Sequence, residues 1–413
     1  MTRNSVTGNS AAAWGVRLAC VDYIPTCSIN RQSEIIETLR DWIDQGAIAG
    51  KLHSLESEHA MVTAAGAAAS GGMRVFTASS SQGLLHATKM LYHVAGWRAP
   101  LVLVNISREL PGSTSLEPDH SDILAACDSG FLQIHCATCQ EVLDSVLLAY
   151  RLAEHEDVQL PVLVYQDIFN LPFAREVVSI PNATTAKQFV GSYNTEINAL
   201  HTDSRACHAD ATLSDASYSY FRFEMHLAAQ RALAVYDELA DEFADFFGRR
   251  YPAVDAYRSD DADYVFVMMG AFANKAKEAI DRLRDGGWKV GLLRPRLLQP
   301  FPHEKFVSLL QGKQAIAVIE QNISMGKGGM LHSALASALY GQRDVPAILA
   351  SYIGSPGRSG ITTQEFFEMA SMLRNAVTSG ESPSPRLLFT ESKWHDRQKL
   401  QPRTHAGHSD RTC

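Results

Sequence analysis

The chain has 413 residues, 46% of them hydrophobic and 20% charged, which is a globular composition too long for one ordinary domain. A formal net charge of −8 at pH 7 counts against a nucleic-acid or anionic-membrane surface as a partner. The longest strongly apolar run, 264–273, is about half of what a bilayer span needs, and the first residues lack the basic, apolar and small-residue succession of a secretory signal, so a cytoplasmic location is expected.

In chain order, helical spacing predicts helices over 33–45, 57–70, 81–96 and 140–154, with β-branched apolar runs at 74–79, 101–106 and 161–167 between them as buried strands. Such alternation predicts a parallel sheet covered on both faces. The pattern stops near Pro181, and 182–216 is polar and turn-rich, a connector. A long helix is predicted over 220–247, with Phe221, Tyr236, Phe243 and Phe247 expected to pack on a neighbouring domain. A second α/β block follows, with strands at 264–270, 290–294, 315–320 and 347–352 and helices at 273–284, 303–310, 330–340 and 363–373. The expected division is 10–200, a connector over 201–255, a second domain over 256–377, and a tail over 378–413 that is Ser-, Pro-, His- and Arg-rich.

Seven cysteines at irregular spacings read as reduced thiols. Cys136 and Cys139 form a single CxxC pair with no second pair to complete a metal or cluster site, so packing thiols are expected and no metal held by this chain alone.

Polar residues concentrate in three loops, and in parallel sheets ligands gather at the carboxyl ends of strands. Leu55–His59 opens a helix made almost wholly of small residues, where Glu58 either enters an apolar surface that suits proton sharing or, with Ser57, simply caps the helix. The Ser-rich turn through Ser81, Gln82 and Gly83 offers N–H groups to an anion or a polar ring edge, and ordinary capping explains it equally. At the third, Arg108 ends a strand and either clamps a carboxylate bidentately or pairs with Glu109 or Asp119. Gly326–Gly329 is a weaker candidate for phosphate. No GxSxG, P-loop or GxGxxG pattern follows these strands.

The ordered blocks Glu56–Ala60 (Glu-Ser-Glu-His-Ala), Phe76–Leu84 (Phe-Thr-Ala-Ser-Ser-Ser-Gln-Gly-Leu), Asp119–Asp122 (Asp-His-Ser-Asp), Leu292–Pro302 and Ala317–Asn322 resemble the alpha subunit of the 2-oxoacid:acceptor oxidoreductases, the pyruvate:ferredoxin oxidoreductase superfamily, over about residues 10–375. The resemblance implies an α/β fold of two parallel-sheet domains, a thiamine-diphosphate pyrimidine-binding-like domain followed by a transketolase C-terminal-like domain. It implies that Glu58 contacts the aminopyrimidine, that Ser81, Gln82 and Gly83 lie at the cofactor, and that Arg108 binds the 2-oxoacid carboxylate. It further implies oxidative decarboxylation, with electrons passed to iron–sulfur clusters and, in most members, the acyl group passed to coenzyme A.

The family's GDG motif for diphosphate and Mg2+ and its cluster cysteines are absent from this sequence. The resemblance places them on partners: a beta subunit carrying the diphosphate and Mg2+ site, and gamma and ferredoxin-like iron–sulfur subunits. The active site is then expected at an intersubunit face, with the chain active only in the complex. Two segments depart from the pattern. Asn30 stands where the family has the threonine that approaches substrate, which points to a 2-oxoacid other than pyruvate, an aryl or branched one such as phenylglyoxylate. Gly354–Gly360 replaces a Gly-Gly-Arg-Asp run. A non-redox thiamine transferase or carboligase subunit and a non-catalytic scaffold are the competing readings.

Overall fold

The computed structural model describes residues 2–27, 33–110, 119–168, 170–193, 215–355 and 360–388. The first half runs β1 (Thr2–Thr7), α1 (Gly8–Leu18), β2 (Tyr23–Cys27), α2 (Ser33–Asp44), β3 (Lys51–Leu55), α3 (Glu58–Ser70), β4 (Phe76–Ser80), α4 (Ser81–His86), α5 (Thr88–Gly96), β5 (Val102–Ser107), α6 (Ser121–Ala125), β6 (Leu132–His135), α7 (Cys139–Ala153), β7 (Val162–Asp167), β8 (Arg175–Ile180) and α8 (Ala183–Val190). Helix α9 (Asp215–Phe247) then leads into β9 (Val254–Tyr257), β10 (Tyr264–Met268), α10 (Gly270–Asp285), β11 (Val290–Pro295), β12 (Leu297–Gln299), α11 (His303–Leu310), β13 (Ala315–Glu320), α12 (Met330–Leu339), β14 (Ile348–Ile353), α13 (Thr363–Ser379) and β15 (Arg386–Leu387).

Both halves are α/β with predominantly parallel sheets, as the sequence pattern requires. Strands β5 and β7 are buried along their whole length, which is what a parallel sheet covered on both faces demands of its central strands. They sit in a five-stranded sheet ordered β12-β6-β7-β5-β4, and a single bridge from Tyr23 to Val75 sets the parallel pair β2-β3 beside it. The second sheet is ordered β15-β14-β13-β10-β11-β9, with β9 antiparallel at one edge. Strands β1 and β8 form a separate antiparallel pair.

Several expectations change. The helix read over 81–96 breaks at Ala87, where Met90 N–H bonds to Ala87 O at 2.8 Å and the tighter turn separates α4 from α5. The stretch read as a polar connector contains α8, capped by Asn182, whose Oδ1 accepts from Thr185 N–H, and closed at Gly191. Its 8 residues are too few for periodicity to register. Of the helix aromatics, Tyr236, Phe243 and Phe247 are buried as expected, whereas Phe221 is 37% exposed. The segment read as a tail supplies β15, which pairs parallel to β14, and Leu388 beyond it is buried. Residues 389–413 lie outside those described.

The halves are interlocked. Strand β12, from the second half, pairs antiparallel with β6 of the first sheet. Beneath that exchange Arg294 and Arg296 converge on Glu141 of α7, with Arg294 donating from both terminal nitrogens at 2.7 and 2.9 Å. Leu292–Pro302 is therefore the stretch that locks one half to the other.

Candidate active site

The parallel register brings carboxyl ends together. Ser80 stands opposite Ile106, and Ser107 opposite Asp167, so the loops after β4, β5 and β7 leave one edge of the first sheet side by side. Helix α3 follows β3 and sets Glu58 at its first position.

Capping at α3 is done by Ser57, whose Oγ accepts from Ala60 N–H at 3.2 Å. Glu58 is thus not needed as the cap. The residue is 7% exposed, and its carboxylate lies 3.0 Å, through Oε2, from Nδ1 of His86 at the end of α4. The small residues of α3 serve helix packing: a Cβ at Gly66 would run into Val94 and Trp97, so the glycine permits the close approach of α5.

At the Ser-rich turn, Ser81 takes a positive φ of 32° and donates its hydroxyl to the carbonyls of Arg108 at 2.8 Å and Glu109 at 3.3 Å. The Ser81 side chain is therefore committed to holding the loop after β5. Gly83 is buried and Gln82 exposed. Arg108 is half-buried, with a buried Nε that has no hydrogen-bond partner among the described residues. The buried hydroxyls of Thr26, Ser79 and Ser80, at or near the ends of β2 and β4, are also without partners among the described residues. Orphaned buried donors at one sheet edge are costly unless something polar meets them, and a ring edge or a carboxylate would. That donor set fits an aminopyrimidine and a 2-oxoacid. Asn30, the remaining substrate candidate, lies outside the described residues, as do 356–359 of the second departing segment.

Behind this edge sits a buried charge cluster. His120 Nε2 is 2.9 Å and His135 Nε2 3.3 Å from Asp167 Oδ1, and Asp167 Oδ2 accepts the Ala271 N–H at the head of α10. Burial alone would raise the Asp167 carboxyl, but the two rings outweigh it and hold it well below the usual carboxylate range. Burial likewise works against a charged His120, yet Asp167 prevails and holds that ring above its ordinary value; at His135 burial wins and the ring is held below. Two rings thus share one buried carboxylate. The three residues offer ligand atoms within 4.8 Å of one another, a donor set a divalent cation accepts. The His120–Asp167 separation is that of a direct hydrogen bond, and Asp167 has both oxygens occupied by protein donors.

His120 N–H also bonds to Gln321 O after β13, so the loop from Arg108 is pinned at His120 to both sheets. Nearby Asp122 accepts from Asn105 Nδ2 and Ile123 N–H, each at 2.8 Å; burial pushes it up to about 7. The Asp119–Asp122 motif flagged part of this cluster. His135 and Asp167 went unremarked, although an acid closing an otherwise apolar strand, as Asp167 closes β7, is a readable signal.

Other candidates resolve differently. Cys136 and Cys139 are buried, and burial pushes both thiols up to about 12, as packing thiols require. The helix N-terminus beyond Gly326–Gly329 is already filled: Glu320 accepts from Leu331 N–H at 2.6 Å and His332 N–H at 3.0 Å, so a protein carboxylate occupies the place considered for phosphate. A groove of about 900 Å3 runs between α9 and residues 299–305. It opens beside Phe131 and Leu132, at the amino end of β6, the opposite edge from the loops above.

Residues 27–240 match the family model described as pyruvate flavodoxin/ferredoxin oxidoreductase, thiamine diphosphate-binding, and residues 262–366 match pyruvate:ferredoxin oxidoreductase core domain II. The chain is 39% identical over 81% of its length, and 86% of the relative's, to pyruvate synthase subunit PorA of Methanocaldococcus jannaschii. It is 35% identical to the Methanothermobacter thermautotrophicus PorA, over 92% of this chain and 97% of that one. With ketoisovalerate oxidoreductase subunit VorA of Pyrococcus horikoshii the identity is 33%, over 94% and 97% of the two chains. Among solved structures, a 2-oxoglutarate:ferredoxin oxidoreductase from Magnetococcus marinus has the same fold at a TM-score of 0.70 and 19% identity, covering 91% of this chain and 65% of that one. A split-gene transketolase does so at 0.53 and 12%, covering 91% and 99%. Among the described residues no helix is long and apolar enough to cross a membrane. The chain belongs to the pyruvate flavodoxin/ferredoxin oxidoreductase family, as an alpha subunit of the 2-oxoacid:acceptor oxidoreductases.

Proposed function

We propose that this subunit contributes the proton-sharing carboxylate and the substrate clamp to a thiamine-diphosphate-dependent oxidative decarboxylation of a 2-oxoacid. The observation that carries the reading is Glu58: a buried acidic residue, 7% exposed, at a helix start whose cap is supplied by Ser57 instead. Thiamine diphosphate, when bound, supplies the carbanion-stabilising chemistry that removes CO2 from the 2-oxoacid. Glu58 holds a proton toward the pyrimidine edge, Ser81, Gln82 and Gly83 shape the turn beside it, and Arg108 orients the substrate carboxylate. Asn30 stands in the sequence where the family has the threonine that approaches substrate, and its longer amide favours an aryl or branched 2-oxoacid, such as phenylglyoxylate, over pyruvate.

The remaining parts fall to partners. A beta subunit holds the diphosphate and Mg2+, gamma and ferredoxin-like subunits hold the iron–sulfur clusters, and coenzyme A takes the acyl group. Coenzyme A is named among the bound molecules of the Magnetococcus enzyme, and ketoisovalerate in the name of the Pyrococcus relative; both support this reading. We take 10–200 as the pyrimidine-binding domain, 201–255 as connector, 256–377 as the transketolase C-terminal-like domain and 378–413 as a tail, with β15 inside the last. The complex is expected in the cytoplasm.

The test is Glu58→Gln in the assembled complex, assayed with pyruvate, 2-ketoisovalerate and phenylglyoxylate. Loss of a positioned acid–base group costs about 10²–10⁴ in turnover, and that loss is expected with every substrate the wild type accepts. Undiminished turnover would leave the subunit a scaffold. A strong pyruvate preference in the wild type would remove the aryl or branched assignment alone.

A further inference from the structure

His86 has no place in the reading above. It closes α4, its Nδ1 is 3.0 Å from Glu58 Oε2, and 59% of its side chain is open to solvent while the side chain of Glu58 is only 10% exposed. A carboxyl oxygen that carries no proton accepts and does not donate, so beside a bare Oε2 the ring carries its proton on Nδ1, which leaves Nε2 as the acceptor of the neutral imidazole. The pair therefore spans the distance from a buried carboxylate to the surface with a group that can take a proton at one nitrogen and release one at the other.

We infer that His86 is a proton relay between solvent and Glu58, a positioning residue that acts on the reaction only through that carboxylate. The inference rests on the role of Glu58 proposed above. As Glu58 gives up a proton at its other oxygen, the Nδ1 proton passes to Oε2 while water supplies one to Nε2. The ring is neutral before and after, and only its tautomer has changed. When Glu58 recovers its proton the flow reverses: Oε2 returns a proton to Nδ1, and Nε2 releases one to water. No electrons move, and the one co-reactant is water. Without such a route, a carboxyl group sunk at the head of an alanine-rich helix exchanges protons with solvent only when the surrounding structure opens.

The plainer role for His86 is to orient the carboxylate by a hydrogen bond, and His86→Asn separates the two. Its side-chain amide puts an N–H where Nδ1 stood but cannot pass a proton through. In the assembled complex with pyruvate as substrate, His86→Ala and His86→Asn are both expected to lower kcat about tenfold to a hundredfold with KM unchanged. Added imidazole is expected to restore His86→Ala and to leave Glu58→Gln inactive. A second readout needs no turnover: 15N NMR of the histidine-labelled full chain should find His86 as the Nδ1–H tautomer, reverting in Glu58→Ala to the Nε2–H form that a solvated ring favours. Full activity in His86→Asn, or an Nε2–H ring in the wild type, would overturn the relay while Glu58 kept its role. Full activity in Glu58→Gln would overturn the Glu58 reading and the relay with it.

Discussion

Arg108 and His120 stand on either side of residues 109–119, and each is fixed by a different force. At Arg108 the fixing is done from outside: Ser81 donates to the backbone carbonyls of Arg108 and Glu109, which leaves the guanidinium free of structural duty to the turn. At His120 the ring itself is the anchor, 2.9 Å from Asp167 Oδ1 in the interior. The Nε of Arg108, buried and unpartnered among the described residues, belongs to a planar fork whose geometry matches a carboxylate, something a lysine ammonium cannot reproduce. Arg108→Lys in the complex is therefore expected to raise the KM for the 2-oxoacid about tenfold to a hundredfold, a loss on the order of 1–3 kcal/mol of charge-assisted hydrogen bonding, with a much smaller change in kcat. Equal KM values in steady-state assays of the two proteins would place the substrate carboxylate elsewhere.

Among the elements, α10 shows how a helix terminus of one half is made part of the cluster in the other. Gly270 has φ of 72°, and a Cβ there would land on Asp167 Oδ2. Any larger residue must both strain the backbone and push away the carboxylate that accepts Ala271 N–H. Gly270→Ala is expected to cost about 2–4 kcal/mol of stability, since a buried charged acceptor loses a partner as the turn is strained, and to show in denaturant unfolding at pH 7. A change below about 0.5 kcal/mol would mean that the helix start and Asp167 are not coupled. None of this coupling is visible from spacing, because Gly270 and Asp167 are 103 positions apart and one sits in an apolar run that reads only as a strand end. What was legible has local causes. Apolar runs fixed β5, β7, β10, β11, β13 and β14 to within a few residues, and α11 falls over 303–310 as its spacing predicts. Short or half-exposed elements were missed: β1 is exposed over most of its length, β6 carries Gln133 and His135 at buried positions, and α8 is a bare two turns. The blocks proposed for the site, those containing Glu58, Ser81 and Arg108, were readable as candidates because each follows a strand and begins a helix or loop. His86 was not, because its meaning comes from a partner 28 residues away on another helix.

For the whole molecule, the unit that makes two α/β halves into one scaffold is the set of charges around Glu141. Arg294, 1% exposed, grips that carboxylate with both terminal nitrogens, Arg296 adds a third contact at 3.1 Å, and Asp255 lies 3.4 Å from Arg294 on the other side. Burial would raise Glu141, but the two guanidinium groups outweigh it and pull it down to about 2 from 4.5. A folded value below the unfolded one means the contribution is fully present above pH 4.5 and is lost as pH falls from there toward 2. At about 1.4 kcal/mol for each tenfold change in proton affinity, the carboxylate contributes on the order of 3 kcal/mol at neutral pH. Glu141→Gln leaves two buried cations facing a neutral amide, and the cost of such a broken pair is of the same size, about 3–5 kcal/mol. The variant is thus expected to unfold about 3 kcal/mol more easily at pH 7, with the gap to wild type closing as the pH is lowered from 5 to 2, since the wild-type carboxylate is itself neutralised over that range. Denaturant titrations of the two proteins across that interval test both the size and the sign. A gap that persisted unchanged at pH 2, or that was absent at pH 7, would mean that the halves are held together by apolar packing and the β12–β6 exchange, with the buried arginines merely tolerated.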